Sequence, residues 1–538
     1  MAQPRRYLLV FPVIVVIFAV LGGFYGPKVQ ALASTPDPDP AAEAIAYDRN
    51  LVAQFTAVYS LVERNFANPV DSDKAIYRGA IPGMLRTLDP HSNFFDPKEY
   101  RSLLEEQRGT YYGVGMQVAP RNGKTVVIAP FPGAPAYKAG LRPGDIIISV
   151  NDKSTEGMNT TEVADILKGP RGTLAKIAVS REGAPDYLTF SVIRDEISRK
   201  SVPDGFWVKN GIAYLKILQF GETTGTELDE NLRRLGENNI KGLVLDLRGN
   251  PGGLLNSGVA VADHFLQRGQ LIVSHHGRAS AERPYFARNG NHGHDYPIVV
   301  LVDRNSASAA EIVSGALQDH DRAWILGETT FGKGLVQTVF PMRDNTAVAV
   351  TTAHFYTPSG RLIQRDYTNK SFYDYYFHKD DNARNLQDVK MTDSGRTVYG
   401  GGGITPDEKY VAPRIDSLEV WLLRSGFFTF TRKYFTKHTA PLPHGWMPDD
   451  AVLRELHDYL AKSGTKFTEA EFTQDRDWMK RYLAREMYIH AFNVDESDRV
   501  FAQTDPEVER AVEAMPKAAS LVQNVKKVLA ERMSGRPH

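Results

Sequence analysis

The sequence predicts a multidomain α/β protein: a helical N-terminal region, a β-rich module placed before an α/β core, and a helical C-terminal extension. Three observations carry this. Between 199 and 408, apolar strand-like runs alternate with amphipathic helical ones, the pattern of an at least partly parallel sheet covered by helices. Between 106 and 198, short β-rich runs are punctuated by glycine. After 409, long stretches rich in charge and aromatics keep helical spacing. With 538 residues the chain exceeds what one hydrophobic core organises, so two to four domains are expected.

The elements follow in order. Arg5 and Arg6 precede an apolar run from Tyr7 to Phe24, and Ala31, Leu32 and Ala33 come after it. Residues 1–33 therefore read as a signal peptide or as an uncleaved membrane anchor, and either reading places the bulk of the protein outside the cytoplasm. Residues 34–41, rich in Pro and Asp, read as a linker. Residues 42–105 read mainly as helix, with Val52, Phe55, Val58, Leu61 and Val62 at helical spacing. A second apolar pattern through Ile76, Ile81, Met84 and Leu85 stops at Leu88-Asp89-Pro90-His91-Ser92, where Pro90 disfavours helix at Asp89. The β-rich module 106–198 has runs at 124–129, 145–150 and 175–180, with one helix from Thr161 to Leu167. In the core 199–408, strands are expected at 211–217, 242–247 and 297–303. Helices are expected at 226–235, 254–266 and Ala309–Gln318. In 409–538 the runs 477–492 and 508–533 look helical.

Composition excludes several function classes. Lys plus Arg equals Asp plus Glu, at 64 each, which gives no case for a nucleic acid partner. The absence of cysteine removes disulfides, thiol catalysis and cysteine-ligated metal, and identifies no compartment. His292-Gly293-His294 sits in a Gly- and Asn-rich stretch with no further ligand cluster and no H-E-x-x-H, so it reads as a solvated loop. No metal or organic cofactor is implied.

The chemistry concentrates in two coupled segments, Asn305-Ser306-Ala307-Ser308-Ala309-Ala310-Glu311 and Gly327-Glu328-Thr329-Thr330-Phe331-Gly332-Lys333-Gly334-Leu335-Val336-Gln337. An apolar strand delivers the chain to a turn of small residues, and a helix begins at once. A serine at such a junction has its hydroxyl above the sheet, and the amides of the new helix point into the same space, suited to an oxyanion. Ser308 and Glu311 are three apart and permit a capping box, which is the purely structural reading of Ser308. Lys333 stands between two glycines, so it can enter a crowded site. A desolvated lysine has a lowered pKa and acts as a general base. Ser306 and Ser314 are rival nucleophiles, the first placed in the turn and the second well inside the helix. A third segment, Asp246-Leu247-Arg248-Gly249-Asn250-Pro251-Gly252-Gly253, ends a buried strand in glycines that expose their amides. It lacks G-x-x-x-x-G-K-[ST] and is no phosphate loop. A Ser–His–Asp triad would draw on His264, His275, His276 or His320 with Asp303 or Asp321, none of which has a recognisable triad context.

The two coupled segments resemble the SASASE-like and GKG-x-x-Q-like motifs of the carboxyl-terminal processing peptidases, a family of PDZ-containing serine proteases, with Ala310 in place of a common serine. The resemblance implies Ser308 as nucleophile, Lys333 as base and Gln337 as the residue that positions the lysine. It also implies an oxyanion site from Gly252 or Gly253 with the Ala309 amide. Tyr112-Gly113-Val114-Gly115-Met116 resembles the carboxylate-binding loop of PDZ domains, and Ala139-Gly140-Leu141-Arg142-Pro143-Gly144-Asp145-Ile146-Ile147 resembles their A-G-L-x-x-G-D-x-I segment. Peptide contacts are then expected from Gly113, Val114, Gly115 and Met116, with Val163, Ile166 and Leu167 on the helix walling the groove. Lys168 stands where many relatives have an arginine that in some couples the PDZ domain to activation. It is a candidate regulatory residue that lacks the planar donor fork. Weaker matches at 83–85, 88–92, 357–361 and 401–407 extend the resemblance over roughly residues 45–410.

What the resemblance implies is an exported serine endopeptidase, in the bacterial periplasm or facing it from the inner membrane. It would cleave protein or peptide substrates at or near accessible C-terminal tails through an acyl-enzyme, with the PDZ module recruiting tails or gating the dyad. The helical extension has no function that the sequence alone yields: bracing the domains, binding an adaptor and self-association all stay open, and the N terminus reads as a membrane contact. A catalytically silent PDZ scaffold and a small-molecule esterase or amidase are the alternatives. A scaffold is expected to have lost Ser308 or Lys333, and both remain. The expected domains are 1–33, 34–41, 42–105, 106–198 (PDZ), 199–408 (peptidase core) and 409–538.

Overall fold

The structure, a computed structural model, describes residues 40–368, 370–377 and 385–534. The expected signal or anchor segment 1–33 lies outside the described residues. Residues to Gly83 and residues from Met84 onward form two compact units. In the first, helix α1 (Pro40–Asn65) confirms the helical period, yet Val52, Phe55, Val58, Leu61 and Val62 are all exposed. Among the described residues no helix is long and apolar enough to cross a membrane.

The second unit has mixed helix and sheet, with the β-rich module preceding the α/β core. Strand β1 (Asn93–Phe95) leads to α2 (Pro97–Arg108). This helix starts where Asp96 accepts the N–H groups of Lys98 and Glu99, and it stops at Gly109 with φ of 69°. Strand β2 (Thr110–Gly113) pairs antiparallel with Asp195–Ser198, so the chain enters and leaves the β-rich module through one two-stranded neck. Inside are β3 (Met116–Arg121), β4 (Lys124–Pro130), β5 (Ile146–Val150), helix α3 (Thr160–Leu167), β6 (Leu174–Ser180) and β7 (Leu188–Ile193). The sheet runs β3-β4-β5-β6-β7, which leaves β3 as an edge strand. Its core is built on Val127, Ile147, Val163, Ile177 and Val179.

The α/β core is laid on a six-stranded sheet, β8 (Phe206–Lys209), β9 (Ile212–Lys216), β10 (Gly242–Asp246), β11 (Ile298–Val302), β12 (Trp324–Gly327) and β13 (Glu408–Lys409), in that order. Only β8 runs antiparallel to its neighbour. Every residue of β10 and β11 is buried, as continuous apolar runs in a sheet covered on both faces should be. One face packs on α4 (Thr224–Leu235), α5 (Leu255–Phe265) and α6 (Ala309–Asp319), through Leu232, Val261, Phe265 and Val313. A second, antiparallel sheet carries Leu335–Pro341 on Ala347–Tyr356, and β1 joins the latter with Asn93 opposite Ala349.

The extension adds α7 (Phe427–Lys437), α8 (Asp450–Lys462), α9 (Arg476–Ala491), α10 (Val494–Gln503), α11 (Pro506–Glu513) and α12 (Met515–Ser534). Phe430, Leu456, Met479 and Leu483 give it a core of its own. Helices α11 and α12 cover the remaining face of the large sheet, with Val508, Ala511, Met515 and Ala518 against Val244, Val299 and Leu301.

Candidate active site

Strands β10 and β11 are parallel neighbours, so their carboxyl ends open on one side of the sheet, where α/β folds place ligands. The loop after β10 is shaped by Asn250, which is fully buried. Its Nδ2 donates to the Ile217 carbonyl at 2.8 Å, its Oδ1 accepts the Gly252 N–H at 2.8 Å, and its carbonyl accepts the Ala307 N–H at 2.9 Å. Gly252 and Gly253 have φ of 98° and 142°. A Cβ on Gly252 would stand 2.7 Å from Ser308 Cβ, and one on Gly253 2.2 Å from the Phe220 carbonyl oxygen. The two glycines bring the loop against the serine turn where no side chain fits.

After β11 the turn is closed by Asp303, whose Oδ1 accepts the N–H groups of Asn305 and Ser306 at 3.0 Å. Ser306 donates its hydroxyl to the Leu247 carbonyl at 2.8 Å, and Ser314 donates to Ala310 at 2.8 Å inside α6. Both serines are fully buried and structurally engaged. Ser308 differs. Its φ of 54° and ψ of −114° lie outside the extended conformation usual for a helix N-cap, and a residue with a Cβ is strained there. The Glu311 N–H closes on the Ser308 carbonyl at 2.8 Å, while the Ser308 N–H donates to Glu311 Oε2 at 2.8 Å.

Glu311 is fully buried. Besides Ser308 it takes the Thr330 hydroxyl at 2.5 Å, the Gly332 N–H at 2.7 Å and the Lys333 N–H at 2.9 Å. Burial pushes its pKa up, and these four hydrogen bonds oppose that shift. The sequence placed Glu311 only as a capping partner. Its remaining donors come from a segment some twenty residues on, which no local pattern announces.

Ser308, Lys333 and Gln337 line one cleft of about 460 Å³ together with Gly252, Gly253 and His91. Removal of water from around the Lys333 ammonium lowers its pKa below the ordinary lysine value, and the Glu311 and Asp89 carboxylates offset part of the shift. Gln337 donates from Nε2 to Thr351 Oγ1 at 3.2 Å, which holds its amide on the neighbouring strand.

His91 was not singled out for chemistry. Asp89 Oδ1 accepts the N–H groups of His91 and Ser92 at 2.7 and 2.8 Å, and the Ser92 hydroxyl accepts the Thr351 N–H at 3.1 Å. This docks the Leu88–Ser92 turn beside Gln337's partner. The His91 ring meets the Tyr375 hydroxyl through Nε2 at 2.8 Å and the Tyr376 hydroxyl through Nδ1 at 3.2 Å. Burial, followed by the positive charge of Lys333, pushes its pKa down to about 3, so the ring is neutral. The four histidines of the alternative triad lie elsewhere. His264 binds Asp229 and Glu237, His320 binds Asp393, His275 contacts Tyr285, and His276 stacks on Tyr356. Asp321 is taken by Arg396 at 2.6 Å.

A second cavity, about 680 Å³, follows the edge strand β3. Val114, Gly115, Met116 and Leu167 line it. Val163 does not: it is fully buried in the module core, and Ala164 lines the cavity instead. Gly113 is also absent from the lining, packed against the Tyr111 ring. Lys168 reaches the cavity, with Nζ bound to Glu105 at 2.7 Å and held over the Tyr111 ring at 5.0 Å.

Comparison with known proteins agrees with both modules. Peptidase family S41 matches residues 211–370, and the PDZ domain matches residues 126–181. The carboxy-terminal-processing protease of Bartonella bacilliformis is 38% identical over 353 residues, covering 65% of this chain and 80% of that protein. The carboxy-terminal processing protease CtpB of Bacillus subtilis is 34% identical over 342 residues, covering 63% of this chain and 70% of that protein. Among solved structures, the photosystem II D1 C-terminal processing protease shares 32% identity at a TM-score of 0.33, covering 57% of this chain and 83% of that one. A PDZ domain followed by an S41 peptidase domain, with this identity over four-fifths of a relative, means that the chain belongs to the carboxy-terminal processing proteases.

Proposed function

We propose that the protein is a serine endopeptidase that cuts substrates at or near their C-terminal tails with a Ser308–Lys333 dyad. The observation that carries this is the convergence of Ser308 and a desolvated Lys333 in one cleft, with both backbones hydrogen-bonded to Glu311. Neutral Lys333 takes the Ser308 proton as Oγ attacks the scissile carbonyl. Oxyanion charge develops toward the amides of Gly253 and Ala309; the Gly252 amide is already given to Asn250, which favours its neighbour. The tetrahedral adduct collapses, the C–N bond breaks, and Lys333 returns the proton to the leaving amine. Water, deprotonated by Lys333, then hydrolyses the acyl ester and frees Ser308. Gln337 is assigned to position Lys333 across the cleft.

The PDZ module, 106–198 in this reading, receives the tail and hands it to the core at 199–408. The Lys168–Glu105 pair ties the groove to α2 and is the proposed regulatory contact. An exported location with an N-terminal signal or anchor is part of the same reading. A silent scaffold is disfavoured because a strained serine and a desolvated lysine both weaken the fold, and a scaffold has no use for either.

The test is hydrolysis of an unstructured protein with an apolar C terminus by wild type, Ser308→Ala and Lys333→Ala, with intact mass locating each cut. Cleavage by wild type and loss in both folded variants is expected. Equal cleavage by all three would remove the dyad.

A further inference from the structure

The cavity along β3 has an outer wall that the PDZ module does not supply. Its inner side is Val114–Val118 with Ala164 and Leu167. The outer side comes from two other places: the segment after the neck, including Arg199, Lys200 and Asp204, and the first turns of α10, through Val494, Asp495 and Asp498. The extension is fastened to the module from outside as well. Arg432 of α7 pairs with Glu182 at 2.9 Å, and its side chain lies against Gly144.

The charges in this cavity are largely sorted, with Lys200 standing among the acids as the partner of Asp204. Lys168 and Arg199 adjoin the chain just before the Gly113–Met116 loop: the Gly169 N–H donates to the Tyr112 carbonyl at 3.3 Å and the Arg199 N–H to the Gly109 carbonyl at 2.7 Å. The acids Asp204, Asp495 and Asp498 gather at the start of α10. Acidic residues are ordinary in a helix's first turn. Asp204, however, comes from a separate segment and shares the same wall. Asp204 is paired with Lys200 at 2.8 Å, and Asp498 with Arg485 at 3.3 Å. Asp495 is exposed to the cavity and forms no ion pair among the described residues. Partial burial and the charge of Asp204 push its carboxyl above the usual range, the Lys200 ammonium pulls it back, and Asp498 and Glu496 add to the rise.

An extended tail that pairs with β3 and ends at the 113–116 loop alternates its side chains. Every second one faces Leu167, and those between face the outer wall. We infer that α10 of the C-terminal extension is part of the tail-binding groove, and that Asp495 selects a lysine or arginine at the penultimate or fourth-from-last position of the bound tail. The inference rests on the tail-binding reading above.

The experiment uses the full-length Ser308→Ala protein and fluorescent decapeptides with an apolar last residue. Lysine, norleucine or glutamate is placed at either of the two positions, and binding is followed by anisotropy. The lysine peptide is expected to bind about three- to fivefold tighter than norleucine, the size of a partly exposed ion pair, and the margin shrinks with salt. Asp495→Asn should abolish the margin without weakening the norleucine peptide, and Asp495→Lys should shift it to glutamate. Equal binding of the three peptides, or a lysine preference that survives Asp495→Lys, overturns the selectivity and leaves tail binding intact. If none of the peptides binds, tail binding and the selectivity built on it both fall.

Discussion

The backbone amides of Ser308 and Lys333 donate to the same oxygen, Oε2 of Glu311, at 2.8 and 2.9 Å. Twenty-five positions separate the two residues in the sequence, and one buried carboxylate fixes them to each other. Replacing Glu311 by Gln keeps the shape but can present only one oxygen. The amide NH₂ must then face two N–H donors or a hydroxyl and an N–H. Glu311→Gln is expected to lower unfolding free energy by about 2–4 kcal/mol, the cost of unsatisfied buried donors, and kcat by about 100-fold or more. Urea unfolding and peptide hydrolysis on the same preparation check both.

Lys333 has a pKa lowered mainly by burial, so its neutral form is reached at lower pH than for a free lysine. As a base it should make kcat/KM rise with pH through that lowered value. Neutral His91, with a pKa of about 3, adds no second limb above pH 5. Lys333→Arg keeps a charge that is not given up and should be inactive throughout. Stability carries the matching signature. The unfolded state holds more protons between the lowered value and the ordinary 10.5, so stability rises with pH across that window. Lys333→Met should therefore raise the melting temperature at neutral pH, with the gain shrinking as pH rises through that window and gone above 10.5.

Gly253 has no room for a Cβ, which would meet the Phe220 carbonyl oxygen at 2.2 Å, and its φ of 142° strains any other residue. Gly253→Ala should displace the amide proposed to meet the oxyanion. A fall in kcat of about 100-fold with a much smaller change in KM is expected from steady-state kinetics.

Arg361 and Asp319 form a buried ion pair at 2.6 Å, and Arg361 also donates to Gln318 Oε1 at 2.8 Å. Arg361→Leu leaves the buried Asp319 charge without its partner. A loss of about 3–5 kcal/mol in denaturant unfolding is expected. The match at Thr357–Arg361 is thereby given a structural meaning independent of catalysis.

Much of this was legible in the chain. The buried strands β10 and β11 were visible as unbroken apolar runs, and the start of α6 as small residues after one of them. Other features were hidden for physical reasons. The apolar period of α1 gave a helix but not a buried face. Val163 and Ala164 are adjacent on α3, and helical spacing alone does not say which of the two faces core or groove. The partners of Glu311 and the two tyrosines on His91 are tertiary contacts that no spacing encodes. Part of the outer wall of the cavity arises from residues nearly four hundred positions beyond β3.

The backbone of Ser308, at φ 54° and ψ −114°, has a consequence for how such a chain ages under mutation. Glycine is the residue that accepts this conformation freely, so Ser308→Gly should relieve about 1–3 kcal/mol of strain and yield a sturdier protein without the proposed nucleophile. Drift toward robustness alone would remove the hydroxyl on which the proposed dyad depends. The proposed use accounts for a serine at a position where the fold by itself favours glycine.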